Sequence, residues 1–293
     1  MKLTKIASLA LASATVLGTL ALVAPVATNA ATQEGNATAN NGIALPQTDQ
    51  TTAGISFGEP NPNGNTGYLR LQKVPEILDF GNHETFNTSY PTFTADGKNS
   101  YNDTNNRYPN YKSGDTNMTA ILNTQDQKLQ DVNGKAWVTV VDKQDSRTDA
   151  TAPNTNSNGT WQLSVKADGP LQKVNELGEA AGSTTDALLS FANTAYGRTT
   201  AVYDLTAESQ DDGYTPAAAT ETDVSAITKD FNVNVNTNST AVQVAAAADG
   251  EGTGANVFGW DKSDIKLTLP STFTAENAIY ETTLTWTLAT GIN

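Results

Sequence analysis

The sequence has no cysteine and a single histidine among its 293 residues. The first absence rules out any disulfide, so the fold must be held by a hydrophobic core. It also removes the thiol nucleophiles and thiolate metal sites. The second absence excludes multi-histidine metal centres and the H-E-x-x-H metalloprotease signature. No G-x-S-x-G stretch is present, so the nucleophile elbow of the serine hydrolases is missing as well. Basic residues are scarce: 17 lysines and arginines stand against 31 acids, a formal net charge of −14. Such a surface repels nucleic acid and anionic lipid headgroups and gives no basic patch for polyanions.

The chain opens "MKLTKIASLALASATVLGTLALVAPVATNA". Lys2 and Lys5 precede an apolar run from Ile6 to Val26, and small residues close it. This is the order of a secretory signal peptide, expected over residues 1–30. An N-terminal membrane anchor is the alternative, because the run approaches spanning length. Cleavage after Ala30 leaves 263 residues carrying 15 basic and 31 acidic side chains, a net charge of −16. That length suffices for a core without disulfides.

Residues 31–66 are rich in Asn, Thr, Gly, Gln and Pro and show no hydrophobic period, which predicts a flexible, largely disordered leader. Within it, "LPQTD" (Leu45 to Asp49) resembles a sortase recognition motif, but Asp49 stands where glycine is required and the motif is at the wrong end of the chain. From Gly67 onward short stretches alternate apolar and polar residues. In "WQLSVK", Trp161, Leu163 and Val165 share one face and Gln162, Ser164 and Lys166 the other. "GYLRLQKV", "KAWVTVVD", "FNVNV", "AVQVAA", "DIKLTL" and "TLTWTL" behave alike, each bounded by Gly, Pro, Asn or Asp. Only "VNELGEAAGSTTDALLSF" hints at helix, and Gly178 and Gly182 interrupt it. An all-β domain over 67–293 is predicted, a β-sandwich or barrel-like body with long surface loops such as "TADGKNSYNDTNNRYPNYKSGDTN". "LQKV" at 71–74 and 171–174 has unmatched flanks and is read as coincidence.

Candidate chemistry is thin. His83, in "DFGNHETF", reads as a structural or solvent-facing histidine rather than a base. Carboxylates are plentiful, but no pair has a distinguishing setting for glycoside hydrolysis. "EGTGAN" reads as a turn, and "NDTNN" and "DKSD" lack the full calcium-loop pattern. No catalytic residue, cofactor or metal is assigned. The four tryptophans, Trp137, Trp161, Trp260 and Trp286, carry more information. W-x-L places Trp161 with Leu163, and Trp286 with Leu288, on one strand face each. Two readings stay open for these four residues: the buried face of a core strand, or a partly accessible indole that stacks on sugar faces and offers an N–H donor.

The terminal pattern Tyr280, Leu284, Thr285, Trp286, Leu288, with the upstream Trp161-Gln162-Leu163, resembles the WxL-domain surface proteins of Gram-positive bacteria. Ile292 stands where that family has proline. The stretches "LRLQKVPEILDFGNH" and "GANVFGWDKSDIKLTLPSTFTAENAIYETTLTWTL" resemble the family's entry and closing segments. The resemblance implies a secreted, extracellular protein attached non-covalently to the cell wall through peptidoglycan or another wall glycan, with Trp161, Leu163, Trp286 and Leu288 as binding residues. It also implies a place in a surface complex involved in adhesion, with WxL-interacting surface proteins as partners, no membrane contact in the mature form and no enzymatic activity. On this view the domain itself serves as the anchor. The alternatives are a protein-binding subunit that recruits a partner strand at an exposed C-terminal edge, and a secreted glycan hydrolase using a carboxylate pair.

Overall fold

A computed structural model of the protein describes residues 41–42, 47–52, 67–84, 86–101, 106–111, 118–146, 159–175, 177–216 and 222–290. The expected signal peptide over 1–30 lies outside them. Among these residues nineteen strands, numbered in chain order, build the fold, and the only α-helix is the five-residue α1 (Val202–Thr206). The all-β prediction holds. The helical hint does not: its span, 174–191, begins on the last residue of β9 (Leu171–Val174) and contains β10 (Ala180–Thr185) and β11 (Ala187–Phe191). The two glycines that weaken a helix there leave strand pairing as the better use of the backbone.

The first sheet has the order β1 (Gln47–Thr52), β19 (Thr283–Thr290), β8 (Trp161–Ala167), β15 (Val242–Ala247), β13 (Ala226–Ile227). Strand β8 alternates buried and half-buried side chains residue by residue, as its sequence requires. Facing it are a four-stranded sheet, β12 (Ala195–Thr199), β16 (Gly254–Trp260), β7 (Ala136–Asp142), β2 (Leu69–Lys73), and a five-stranded sheet, β14 (Phe231–Val235), β11, β17 (Ile265–Thr268), β4 (Thr92–Thr94), β5 (Lys98–Asn99). A three-stranded sheet, β10, β9, β18 (Ile279–Glu281), and the pair β3 (Asn82–His83) and β6 (Asn106–Tyr108) complete the body.

The two facing sheets form one bent surface. Pairs Leu188↔Thr268 to Phe191↔Ile265 join β11 to β17, and pairs Ala195↔Gly259 to Thr199↔Ala255 join β12 to β16. Ala192 N–H donates to Asp264 O at 3.1 Å between them, so two long strands run side by side through a common corner. Asn193 turns that corner at φ +56°, where asparagine is tolerated. Its N–H donates to Asp230 Oδ1 at 2.8 Å and its amide to Asp264 Oδ2 at 3.2 Å. The main core fills the space between this bent surface and the first sheet. Strand β16 is buried along its whole length. Its outer Val257 is covered by Leu122, Leu129 and Val132, and its Ala255 by Val202 of α1, so the four-stranded sheet has a third layer outside it.

The expectation of a disordered leader does not hold for residues 47–52. They form β1, which pairs antiparallel with β19 from Gln47↔Leu288 to Thr52↔Thr283. Gln47 is buried, and its Oε1 accepts from Leu71 N–H of β2 at 3.2 Å. That contact links the edge of the first sheet to the edge of the four-stranded sheet and gives the sandwich its barrel-like closure. The hexapeptide "QTDQTT" has no apolar residue, so hydrophobic pattern could not reveal it; main-chain hydrogen bonds hold it. It also occupies the edge of the C-terminal strand that the sequence suggested was open. Deleting residues 47–52 is expected to remove about 2 kcal/mol of net backbone pairing, lowering the thermal midpoint by roughly 4–8 °C. The exposed β19 edge should then promote concentration-dependent association, read by sedimentation.

Candidate functional site

The two W-x-L stretches lie on neighbouring strands. In the antiparallel register of β8 and β19, Leu163 is opposite Leu288, Val165 opposite Trp286, and Trp161 opposite Thr290. Directly opposed residues share a face, so both tryptophans and both leucines point the same way, each indole one pleat out from the central leucine pair. That face is the inner one. Trp161, Leu163, Trp286 and Leu288 are each 0% exposed.

The indoles reach across the sandwich. Trp286 packs against Trp260 of β16 and Phe191 of β11, both with ring centres 6.2 Å away. Phe191 meets Trp260 edge to face at 5.1 Å and stacks on Phe231 at 4.8 Å. This aromatic cluster therefore sits at the corner where the two facing sheets bend. Trp161 meets Phe258 edge to face at 6.3 Å. The glycine turn "EGTGAN" passes beside it: Gly252 has φ +75°, and a Cβ there would come 3.1 Å from the Trp161 ring. A side chain at 252 would be both conformationally strained and in the way of the indole.

A buried indole N–H needs an acceptor. Trp260 Nε1 donates to Thr194 Oγ1 at 2.9 Å, at the corner. Trp161 Nε1 donates to Asp142 Oδ2 at 3.1 Å, at the end of β7. Asp142 also accepts from Gln144 N–H at 3.0 Å. Burial is the largest influence on this carboxyl and pushes its pKa up to about 7; the hydrogen bonds from Gln144 and Trp161 oppose the rise, and the charge of Asp145 reinforces it. A second buried carboxylate is tied to the residue that follows Asp142. Asp211 pairs with Arg70 and, at 2.8 Å, with Lys143. Burial alone would raise its pKa, but hydrogen bonds from Arg70, Lys143 and Thr206 hold it below the usual carboxylate range.

Away from the tryptophans, a cleft of about 740 Å³ opens between the five-stranded and three-stranded sheets. Leu171, Leu189, Val235 and Leu267 form its floor. One wall is the 78–88 segment; the other is the 273–284 segment, which carries Tyr280 and Leu284 of the terminal motif. Phe86, Phe273 and Tyr280 make an edge-to-face chain across the opening, with ring centres 5.1 and 5.2 Å apart. All three are half-buried. Glu276, on the second wall, is tied down twice: Lys173 Nζ donates to its carboxylate at 2.6 Å, and its N–H reaches Tyr280 Oη at 3.4 Å. The first wall rests on a close backbone approach. Gly81 of that wall has φ +84°, and a Cβ there would fall 2.6 Å from Gly97 O, so no other residue fits. His83 also lines the cleft; its Nε2 is 2.7 Å from Phe80 O and its ring centre 4.4 Å from that of Phe93.

The sequence therefore located the tryptophan strands and missed the cleft. The available signal was modest: Phe86 and Phe273 are lone aromatics in polar, non-alternating segments, "NHETFNTS" and "PSTFTAEN". Among the described residues no group of three or more His, Asp or Glu is placed to hold a metal ion, and no helix is long and apolar enough to cross a membrane. A family model described as WxL domain surface cell wall-binding matches residues 32–291. No curated protein and no solved structure matches the chain.

The burial of Asp142 predicts a pH effect. A carboxyl whose folded pKa lies near 7 and whose unfolded value is 3.8 holds its proton better when folded. Its cost to stability is absent below the unfolded value, grows as pH rises through the interval, and is complete above about 7. The thermal midpoint is expected to rise as pH is lowered from 8 to 5. Asp142→Asn removes the titrating group and should flatten that slope; its single side-chain oxygen serves the indole or Gln144 N–H but not both, so no gain in stability at pH 8 is expected from it.

Proposed function

Because the chain belongs to the WxL family of surface cell wall-binding domains, we propose that this domain holds the exported protein non-covalently on the peptidoglycan of a Gram-positive bacterium. The protein is a cell-surface protein of the wall-associated kind, and its family is not an enzyme family. The observation that carries the proposal is the extent of the match, which takes in every strand from β1 to β19. The proposal divides the chain as the sequence suggested, into an export signal over 1–30, a polar leader and a wall-binding β domain, with β1 of the leader built into the first sheet.

In this reading Trp161, Leu163, Trp286 and Leu288 serve binding by setting the register of β8 and β19 and the corner of the facing sheets. Their complete burial supports a positioning role, since no indole face is open to a sugar. Protein partners in a surface complex, and a part in adhesion, are consistent with a wall-held domain. Strand addition at β19 is disfavoured because β1 already fills that edge. The domain acts by binding, without turnover: Glu276 is paired with Lys173 and half of its side chain is exposed, which does not fit a general acid held protonated by burial.

Residues 31–293 are expected to sediment with purified sacculi at physiological ionic strength and to release no soluble fragments from them. Absence of retention would sink the proposal. Trp286→Ala and Trp161→Ala should each cost about 3–5 kcal/mol and lose retention together with the thermal midpoint. Retention lost by either variant with an unchanged midpoint would instead assign that indole a direct contact.

A further inference from the structure

We propose that the cleft between the five-stranded and three-stranded sheets is the wall-contact site, and that it takes an uncharged stretch of N-acetylated glycan. The inference rests on the wall-binding reading above and goes further by naming the surface and the chemistry.

Three observations select this class of ligand. The first is the layering of the cleft. Its volume of about 740 Å³ lies within the usual range for ligand sites and is too large to be a packing void. The floor is aliphatic, with Leu171, Leu189, Val235 and Leu267, while groups that both donate and accept hydrogen bonds, Asn82, Asn277 and Thr282, stand among the lining residues. A plain polyol has nothing apolar to place on such a floor. An N-acetyl group brings a methyl for the aliphatic surface and an amide N–H and C=O for the asparagines and threonine.

The second is the aromatic chain. In the edge-to-face series Phe86, Phe273, Tyr280, each ring is fixed by its neighbour and remains half-buried. The axial C–H groups of a β-linked pyranose form an apolar patch with a slight positive charge. The negative face of an aromatic ring complements it. Tyr280 belongs to the terminal motif, and its hydroxyl accepts from Glu276 N–H at 3.4 Å, so β18, which leads directly into the strand that buries Trp286, fixes the 273–284 wall of the cleft.

The third is charge. Glu276 is compensated by Lys173, and Glu84 and Arg107 balance among the lining residues, so the cleft has no excess of positive charge, while the chain as a whole carries −14. A polymer of phosphodiesters finds no cationic surface in the cleft and meets repulsion at long range. A neutral sugar backbone meets no such repulsion, and carboxylates are good acceptors for its hydroxyls.

The test uses Phe86→Ala and Phe273→Ala, whose side chains are half-buried at the opening, in the chain from residue 31 to 293. Each variant should keep the wild-type thermal midpoint within a few degrees and lose about tenfold in affinity for purified sacculi. Soluble β-1,4-linked N-acetylglucosamine oligomers should displace the wild type from sacculi; teichoic acid should not. Wild-type retention with both variants retained equally well would overturn the cleft as the contact surface while leaving wall binding intact. Displacement by teichoic acid and not by the oligomers would overturn the ligand class. Failure of the wild type itself to bind would remove the reading on which the site depends. Should either alanine variant unfold, Phe86→Leu and Phe273→Leu provide the control. They keep apolar volume without a flat face, and a tenfold loss is expected from them as well.

Discussion

The opposition of Leu163 and Leu288 across β8 and β19 is the contact on which the rest of this structure depends. Side chains in a strand repeat every second residue, so this one pairing fixes which way four large residues point. A slip of one residue would turn Trp286 and Leu288 outward and leave the aromatic cluster at the corner without its partner. With no disulfide, nothing covalent opposes such a slip. The register is defended by packing alone: Trp286 against Trp260 and Phe191, Trp161 against Phe258, and β1 along the far side of β19.

From that contact the architecture follows outward. Trp260 closes β16 and Phe191 closes β11, so the cluster lies where β16 passes from the four-stranded sheet into β17 of the five-stranded one and β11 passes back from the five-stranded sheet into β12. A bend at that point splays the five-stranded sheet away from the first sheet and leaves room for the three-stranded sheet and the cleft between them. The segment from Ile279 to Thr290 connects the two regions, with Tyr280 and Leu284 in the cleft and Trp286 and Leu288 in the core. Core and cleft are thus consecutive stretches of one extended chain, and any loss of register in one is felt by the other.

What could be read from the sequence was whatever follows a period of two. Strands β8, β14 and β19 were legible because one face is buried and the other is not, and β7, buried on both faces, was legible from its β-branched and aromatic residues. The adjacency of the two W-x-L strands was not encoded in the pattern: alternation puts each W-x-L pair on one face of its strand, and only the fold shows that the two strands are paired. Strand β1 was illegible because it contributes backbone pairing and no apolar side chain. Strand β16 was hard to place as a strand because both of its faces are covered, which erases alternation. The cleft was illegible for a different reason: it is assembled from segments around residues 80, 86, 171, 189, 273 and 280, and no local spacing encodes their convergence. The glycine turn at 252 was recognised as a turn, but its closeness to Trp161 needed the fold.

The burial of both tryptophans bears on how such a signature should be interpreted. An indole buried with its N–H satisfied by Asp142 has given up both features that make tryptophan useful at a sugar site: its open face and its free donor. A residue in that state acts on a ligand only through what it positions. Trp286, equally buried, positions a segment in which Leu284 and Tyr280, two and six residues before it, line the cleft. In the proposed reading the signature is centred on residues that do not touch the ligand, because the geometric demand of a sugar-stacking cleft falls on the backbone that carries its rings. A ring displaced by even one ångström loses its stacking contact, whereas a neighbouring polar side chain can swing to compensate. Rigid support matters more for an aromatic surface than for a hydrogen-bonding one, and the fully buried W-x-L pair is the support this domain has.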